Sequence, residues 1–258
     1  MRRIRVIPVL QIDNRKLVKT TSFKSPVYIG DPLNALRIFN DKHVDEIAIV
    51  DIGATRNEKF PDVEFIRQLA SECFMPMSYG GGITSLSQAT EIFRAGVEKV
   101  IIGKSFFEYP NLVTQIAEKF GSQGIIVSVD FKKNWLGVER VYIKYGTRST
   151  GLSPIAYAKM AQERGAGEIL LQSIERENRC NGYELELIKK ISDSLNIPVV
   201  PLGGAHTIDD FYWATKSGAS GVAAGNMFIY KGKHRAVLIN YPSQHLLFEN
   251  LYNKIDSQ

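Results

Sequence analysis

Apolar runs of four to six residues alternate along this chain with stretches in which apolar residues recur at intervals of three and four. The first pattern suits a strand buried on both faces, the second a helix with one apolar stripe. Residues 5–10, 47–51, 76–79, 99–102, 125–130, 168–172, 198–202 and 221–224 are the strand candidates. Helix candidates lie between them, several with start signals. Pro32 after Asp31 leads a helix to about His43, Pro61-Asp62 one to about Glu72, and Pro110 one to Phe120 that Gly121 closes. Residues 85–94, 154–164, 183–195 and 207–217, and a last helix within 243–254, complete the set. Two connections break the rhythm. A long polar loop follows the first strand, and residues 132–145 read as a β-hairpin turning at Asn134-Trp135-Leu136-Gly137.

Strict alternation of strand and helix argues for a parallel sheet with crossover helices, and eight repeats specify a (β/α)8 TIM barrel over an open sheet. The spacing of glycines and prolines adds a second regularity. Pro76, Gly81, Gly82, Gly96 and Gly103 are each followed 122 residues later by Pro198, Gly203, Gly204, Gly218 and Gly225. One barrel domain over residues 1–258, built from two repeated half-barrels of about 1–122 and 123–258, accounts for that constant offset.

Composition agrees with a globular chain of this size: 44% of its 258 residues are apolar and 23% charged. No uninterrupted apolar stretch approaches the roughly 18 residues of a membrane span, so no membrane partner and a cytoplasmic location are expected. Cys73 and Cys180 are too few for a disulfide framework or a metal site, and no metal or cofactor is expected. The net charge of +5 is spread along the chain without a basic run, which points to a phosphorylated small molecule or an acidic partner and away from nucleic acid.

In such a barrel the chemistry sits at the C-terminal ends of the strands. Two apolar strands there deliver one polar side chain each, Gln11 and Asp130, at related positions of the two halves. Glycines dominate the remaining strand ends. Gly-Gly turns bring backbone N–H groups close to a phosphate, and two such sites are predicted half a barrel apart: Gly81 and Gly82 with Gly103 and Lys104, and Gly203 and Gly204 with Gly225 and Asn226. Taken singly, each glycine is explained as well by a tight strand-to-helix turn. His206 is read as a loop residue more readily than as a base, and Tyr79, Trp135 and Tyr145, which could stack on a substrate ring, are read more readily as hairpin or core packing.

Val18-Lys19, Gly30-Asp31-Pro32, Asp45-Glu46, Val50-Asp51-Ile52, Gly80-Gly81-Gly82-Ile83, Phe120-Gly121-Ser122-Gln123, Gly165-Ala166-Gly167-Glu168-Ile169-Leu170-Leu171, Asn181-Gly182-Tyr183 and Gly203-Gly204-Ala205 occur in that order over nearly the whole chain. In these segments the chain resembles the cyclase subunit of imidazole glycerol phosphate synthase, a histidine-pathway barrel that works as a heterodimer with a glutaminase subunit. The resemblance implies a bis-phosphorylated ribulosyl-formimino nucleotide as substrate, ammonia from the glutaminase, and two aspartates as general acid and base. The second aspartate falls on Asp130 and a substrate-contacting loop lysine on Lys19, but the first aspartate falls on Gln11. A carboxamide has no proton to exchange near neutral pH, and losing one partner of an acid–base pair costs about 10² to 10⁴ in rate. The family's Asn-Thr after the fourth strand is Gly103-Lys104, and its Asp-Arg-Asp-Gly-Thr after the sixth is Glu175-Arg176-Glu177-Asn178-Arg179, so that Lys104 and Arg179 add cations.

The resemblance also places the family's ammonia gate, a ring of four charges at the opposite end of the barrel, on Arg5, Glu46, Lys99 and Glu168, all of matching type. Three readings stay open. The first is a divergent subunit that docks a glutaminase and passes ammonia to another acceptor or to a third, ammonia-using enzyme, as cyclase-like paralogues do beside lipopolysaccharide genes in amidino-sugar formation. The second is an ordinary cyclase in which Glu177 or Asp51 replaces the missing acid, and the third a non-catalytic scaffold.

Overall fold

The computed structural model describes residues 4–232 and 234–256. Eight parallel strands form the barrel: β1 (Arg5–Asp13), β2 (Ile47–Asp51), β3 (Met77–Gly80), β4 (Lys99–Ile102), β5 (Ile125–Lys133), β6 (Glu168–Ser173), β7 (Val199–Leu202) and β8 (Gly221–Ala224). Each pairs with its sequence neighbours, and β1 pairs with β8, Arg5 opposite Gly221, so the eight strands close on themselves. The eight-stranded (β/α)8 barrel expected from the alternation is the observed architecture.

Side chains of a strand alternate between faces, and here the alternation divides the core in two. Ile7, Val9, Ala48, Ile101, Ile126, Leu170, Val200, Leu202 and Ala223 pack together inside the barrel. The intervening positions, among them Val6, Leu10, Ile47, Ile49, Val100 and Val127, face the helices in a larger outer core. Helix starts are set by side chains that accept otherwise unpaired N–H groups. Asp31 caps Pro32–Asp41 through Asn34, Asp62 caps Val63–Glu72 through Phe65, and Ser85 with Gln88 forms a capping box on Leu86–Arg94.

The segment after β1, expected as a long polar loop, is instead an antiparallel hairpin of Lys16–Thr21 and Lys24–Gly30 that pairs back onto β1, Gln11 opposite Val18. Its polar composition hides the pattern because Val27 and Tyr28 on the outer strand are exposed while Lys19 and Thr20 on the inner one are buried. The hairpin after β5 is formed as expected, with Glu139–Ile143 returning against β5. Short helices that periodicity cannot register, Ile52–Arg56, Lys104–Glu108 and Asn226–Ile229, open the connections after β2, β4 and β8.

Candidate active site and charged ring

Positions of one parity along each strand point into the barrel, and at its N-terminal end they deliver four charges. Arg5 bonds both Glu46 and Glu168, the latter at 2.9 Å, while Lys99 Nζ lies 2.8 Å from Glu46 and 3.4 Å from Glu168. Cation and anion alternate around a closed square. Glu46 and Glu168 are buried, so each needs its two cations to offset lost hydration. Burial opposes the Arg5 charge, yet Glu168 and Glu46 outweigh it and hold the guanidinium above its ordinary range.

Above this ring lies the apolar interior, and above that a cavity of about 220 Å3 at the C-terminal end. Its walls include Gly80 to Gly82, Gly103 and Lys104 on one side and Gly203, Gly204, Gly225 and Asn226 on the other. These groups follow β3 and β4, and β7 and β8, which stand opposite each other in the closed strand order. Sterics explain part of this glycine set. Gly81, Gly82, Gly203 and Gly204 have φ of +125°, +70°, +101° and +106°, and a Cβ on Gly204 would sit 1.9 Å from the Gly182 carbonyl oxygen. Gly103 is different: a Cβ there would meet nothing within 4 Å, and it is the backbone, at φ −105° and ψ −105°, that favours glycine. Lys104 shares its charge with Glu108 at 3.4 Å and Glu58 at 3.6 Å.

Gln11 and Asp130 both line the cavity, and their surroundings differ. Asp130 Oδ1 accepts a 2.6 Å hydrogen bond from the Ser128 hydroxyl. Burial, reinforced by the nearby Glu177 charge and only partly offset by Ser128, pushes its carboxyl up to about 6. Gln11 is tied at both ends of its amide. Its oxygen accepts the Thr20 N–H at 2.9 Å, and its Nε2 donates to Glu177 Oε1 at 2.9 Å. The same Glu177 oxygen takes Lys19 Nζ at 2.7 Å and the Thr20 hydroxyl at 2.6 Å, while Oε2 takes the Phe23 N–H at 2.8 Å. Burial works against the Glu177 charge, but Lys19 and these donors hold the carboxyl below the usual carboxylate range.

A family model described as histidine biosynthesis protein matches residues 5–235. A provisionally named imidazole glycerol phosphate synthase subunit HisF of Leptospira interrogans is 47% identical over 246 residues, covering 95% of this chain and 97% of that protein. The chain belongs to the HisF family. A provisionally named HisF2 subunit of Pseudomonas aeruginosa is 46% identical over 94% of this chain and 97% of its own length. The imidazole glycerol phosphate synthase subunit HisF of Pyrobaculum aerophilum is 39% identical over 88% of this chain and 90% of its own.

Several expectations for this HisF-family barrel change once strand parity is known. Asp51 does not face the cavity: Ala48 and Val50 of β2 point inward, so Asp51 points to the helical shell. There it accepts the Ala54 N–H at 2.8 Å as the cap of Ile52–Arg56. Arg179 is exposed and outside the cavity wall. The cation near that turn is Arg235, which bonds Asn178 Oδ1 and lies 3.0 Å from Asn226 Oδ1. The Gly81-Gly82 and Gly203-Gly204 turns do not open directly into helices, which begin at Leu86 and Ile208. The short helices start instead right after Gly103 and Gly225. Tyr79 is buried in the outer core, its hydroxyl 3.5 Å from Asp51, and His206 is an exposed loop residue.

Ser128, Gln172 and Thr20 also line the cavity without having been marked by the sequence, and Tyr145 lines it too. Inward parity along β5 and β6 would have found the first two, since Asp130 and Leu170 share it. Tyr145, assigned to hairpin packing, has a buried hydroxyl with no hydrogen-bond partner, and burial raises its pKa. Among the described residues no three histidine, cysteine, aspartate or glutamate side chains converge as a metal would require, and no helix is long and apolar enough to cross a membrane.

Proposed function

We propose that this HisF-family subunit docks a glutaminase at the charged end of the barrel, admits ammonia past the Arg5, Glu46, Lys99 and Glu168 ring, and presents it to a phosphorylated acceptor in the C-terminal cavity, with cyclase activity far below that of a subunit holding two acids. The observation that carries this reading is the contrast between the two ends. The ring is complete and internally paired. At the other end Asp130 is held at about 6, poised to exchange a proton near neutral pH, and shares its cavity with a carboxamide, Gln11, at the position the family resemblance gives the second acid.

Glu177 does not stand in for that acid. It carries four hydrogen bonds as a carboxylate and is held below the usual range, so it keeps no proton to donate. Opposed glycine walls suit an acceptor with a phosphate at each end, and the orphan Tyr145 hydroxyl offers such a ligand one more hydrogen bond. An amidino sugar of a surface polysaccharide is the end product we assign to the delivered ammonia.

The test is turnover of the ribulosyl-formimino nucleotide with ammonium alone, and with glutamine plus a glutaminase partner. Cyclase turnover about 10² to 10⁴ below that of a two-aspartate HisF is expected, together with glutaminase stimulation that Lys99→Ala or Glu46→Ala abolishes. Full turnover by the unaltered chain would defeat the first half of the reading. Unchanged glutamine-dependent product formation in the ring variants would defeat the second.

A further inference from the structure

Glu177 belongs to the connection after β6, yet nearly all its partners lie on β1 and the hairpin that follows it. Lys19, Thr20 and Phe23 come from the hairpin and Gln11 from β1, and all four direct donors at one carboxylate. Neighbouring contacts run the same way. Asn178 Nδ2 donates to the Thr20 carbonyl at 3.0 Å and to the Thr21 hydroxyl at 2.8 Å, and the Ser22 N–H reaches the Glu177 carbonyl at 3.3 Å. The Lys19 and Glu177 side chains are only 6% and 3% exposed, so this is a buried ion pair in the cavity wall. Nothing about barrel formation requires it, because β1 and β6 are three strands apart in the closed order.

We infer that Glu177 is an internal anion that clasps the hairpin of residues 16–30 shut over the cavity, and that residue 11 is a carboxamide because the clasp needs a donor there. A carboxylate of the same shape at position 11 would set two negative oxygens about 3 Å apart beside one lysine, at the separation where acids can no longer both ionise. Gln11 and Glu177 are therefore a matched pair, and Glu177 is the positioning residue of the two. Lys19, Thr20, Phe23 and Glu177 all line the cavity. The anionic group of a ligand bound beside them would compete with Glu177 for the Lys19 charge. The inference concerns the hairpin alone and holds whether or not ammonia is delivered to the cavity.

The test is an isosteric exchange in the full chain: Gln11→Glu, Glu177→Gln, and the two together. The exchanged pair keeps one carboxylate, one carboxamide and Lys19. Tryptic cleavage after the exposed Lys16 and Lys24 reports opening of the hairpin, since cleavage tracks the population of the open form when reclosing is fast. Each single variant is expected to be cleaved at least about tenfold faster than wild type, a change equivalent to ~1.4 kcal/mol, and the exchanged variant more slowly than either. A Gln11→Glu chain too unstable to purify, beside an exchanged chain that folds, counts for the clasp. Singles cleaved at the wild-type rate, or an exchanged variant cleaved as fast as the worse single or unable to fold, would overturn it.

Discussion

Replacing Asp130 by Asn removes the charge at the cavity floor while keeping an oxygen that can accept the Ser128 hydroxyl. Burial and the neighbouring Glu177 raise the Asp130 carboxyl from an ordinary 3.8 to about 6. At about 1.36 kcal/mol per pH unit, that gap means the folded chain spends up to ~3 kcal/mol keeping this group ionised at pH 7.5. Because the carboxylate meets water in the cavity, this is an upper bound. The folded state holds the Asp130 proton more tightly than the unfolded state, so the group favours folding fully below about pH 4 and loses that contribution as pH rises through about 6. Asp130→Asn should therefore be more stable than wild type at pH 7.5, by ~1–3 kcal/mol, and the advantage should shrink to near zero by pH 4. Urea unfolding of both chains at several pH values between 4 and 8 measures the difference. A variant no more stable at pH 7.5, or an advantage that does not decline between pH 7 and pH 4, would refute the account of Asp130 as a strained, proton-exchanging acid. Activity should move the opposite way, because the stabilised variant has no proton to transfer.

Other consequences are as direct. Lys19→Met leaves Glu177 buried without its cation and should cost about 3–5 kcal/mol, read by the same unfolding assay. Glu46→Gln leaves Arg5 and Lys99 to share Glu168; because both cations are about one-fifth exposed, a loss of about 1–3 kcal/mol is expected, with the chain still folded. Gly204→Ala drives a Cβ into the Gly182 carbonyl at positive φ and should destabilise by more than about 2 kcal/mol. Gly103→Ala meets no atom, but φ −105° with ψ −105° is a backbone conformation that alanine disfavours, and a loss of about 1–3 kcal/mol is expected. If Gly103 helps hold a phosphate, folded Gly103→Ala should bind inorganic pyrophosphate more weakly in calorimetry, and equal binding would remove Gly103 from the proposed site.

The eight strands, their order and the glycine and proline spacing of 122 residues were legible because they are local: each buried run is marked by its own apolar residues, and several helices by a capping residue. Asp130 and Gln11 were legible for the same reason, since each ends a readable strand, whereas the ring charges were reached only through the family resemblance. Position along the chain does not reveal the face of a strand until the register of the whole barrel is known. That is why Asp51 was placed in the cavity and Gln172 and Ser128 were overlooked. The hairpin after β1 was hidden because Lys19 and Thr20, polar by composition, are buried by partners more than 150 residues away. What the sequence determined is a (β/α)8 barrel with a carboxamide, Gln11, at the end of its first strand. Only the tertiary structure decided what became of that position, because a lone carboxamide acquires its role from the long-range carboxylate it faces, and no local pattern carries that contact.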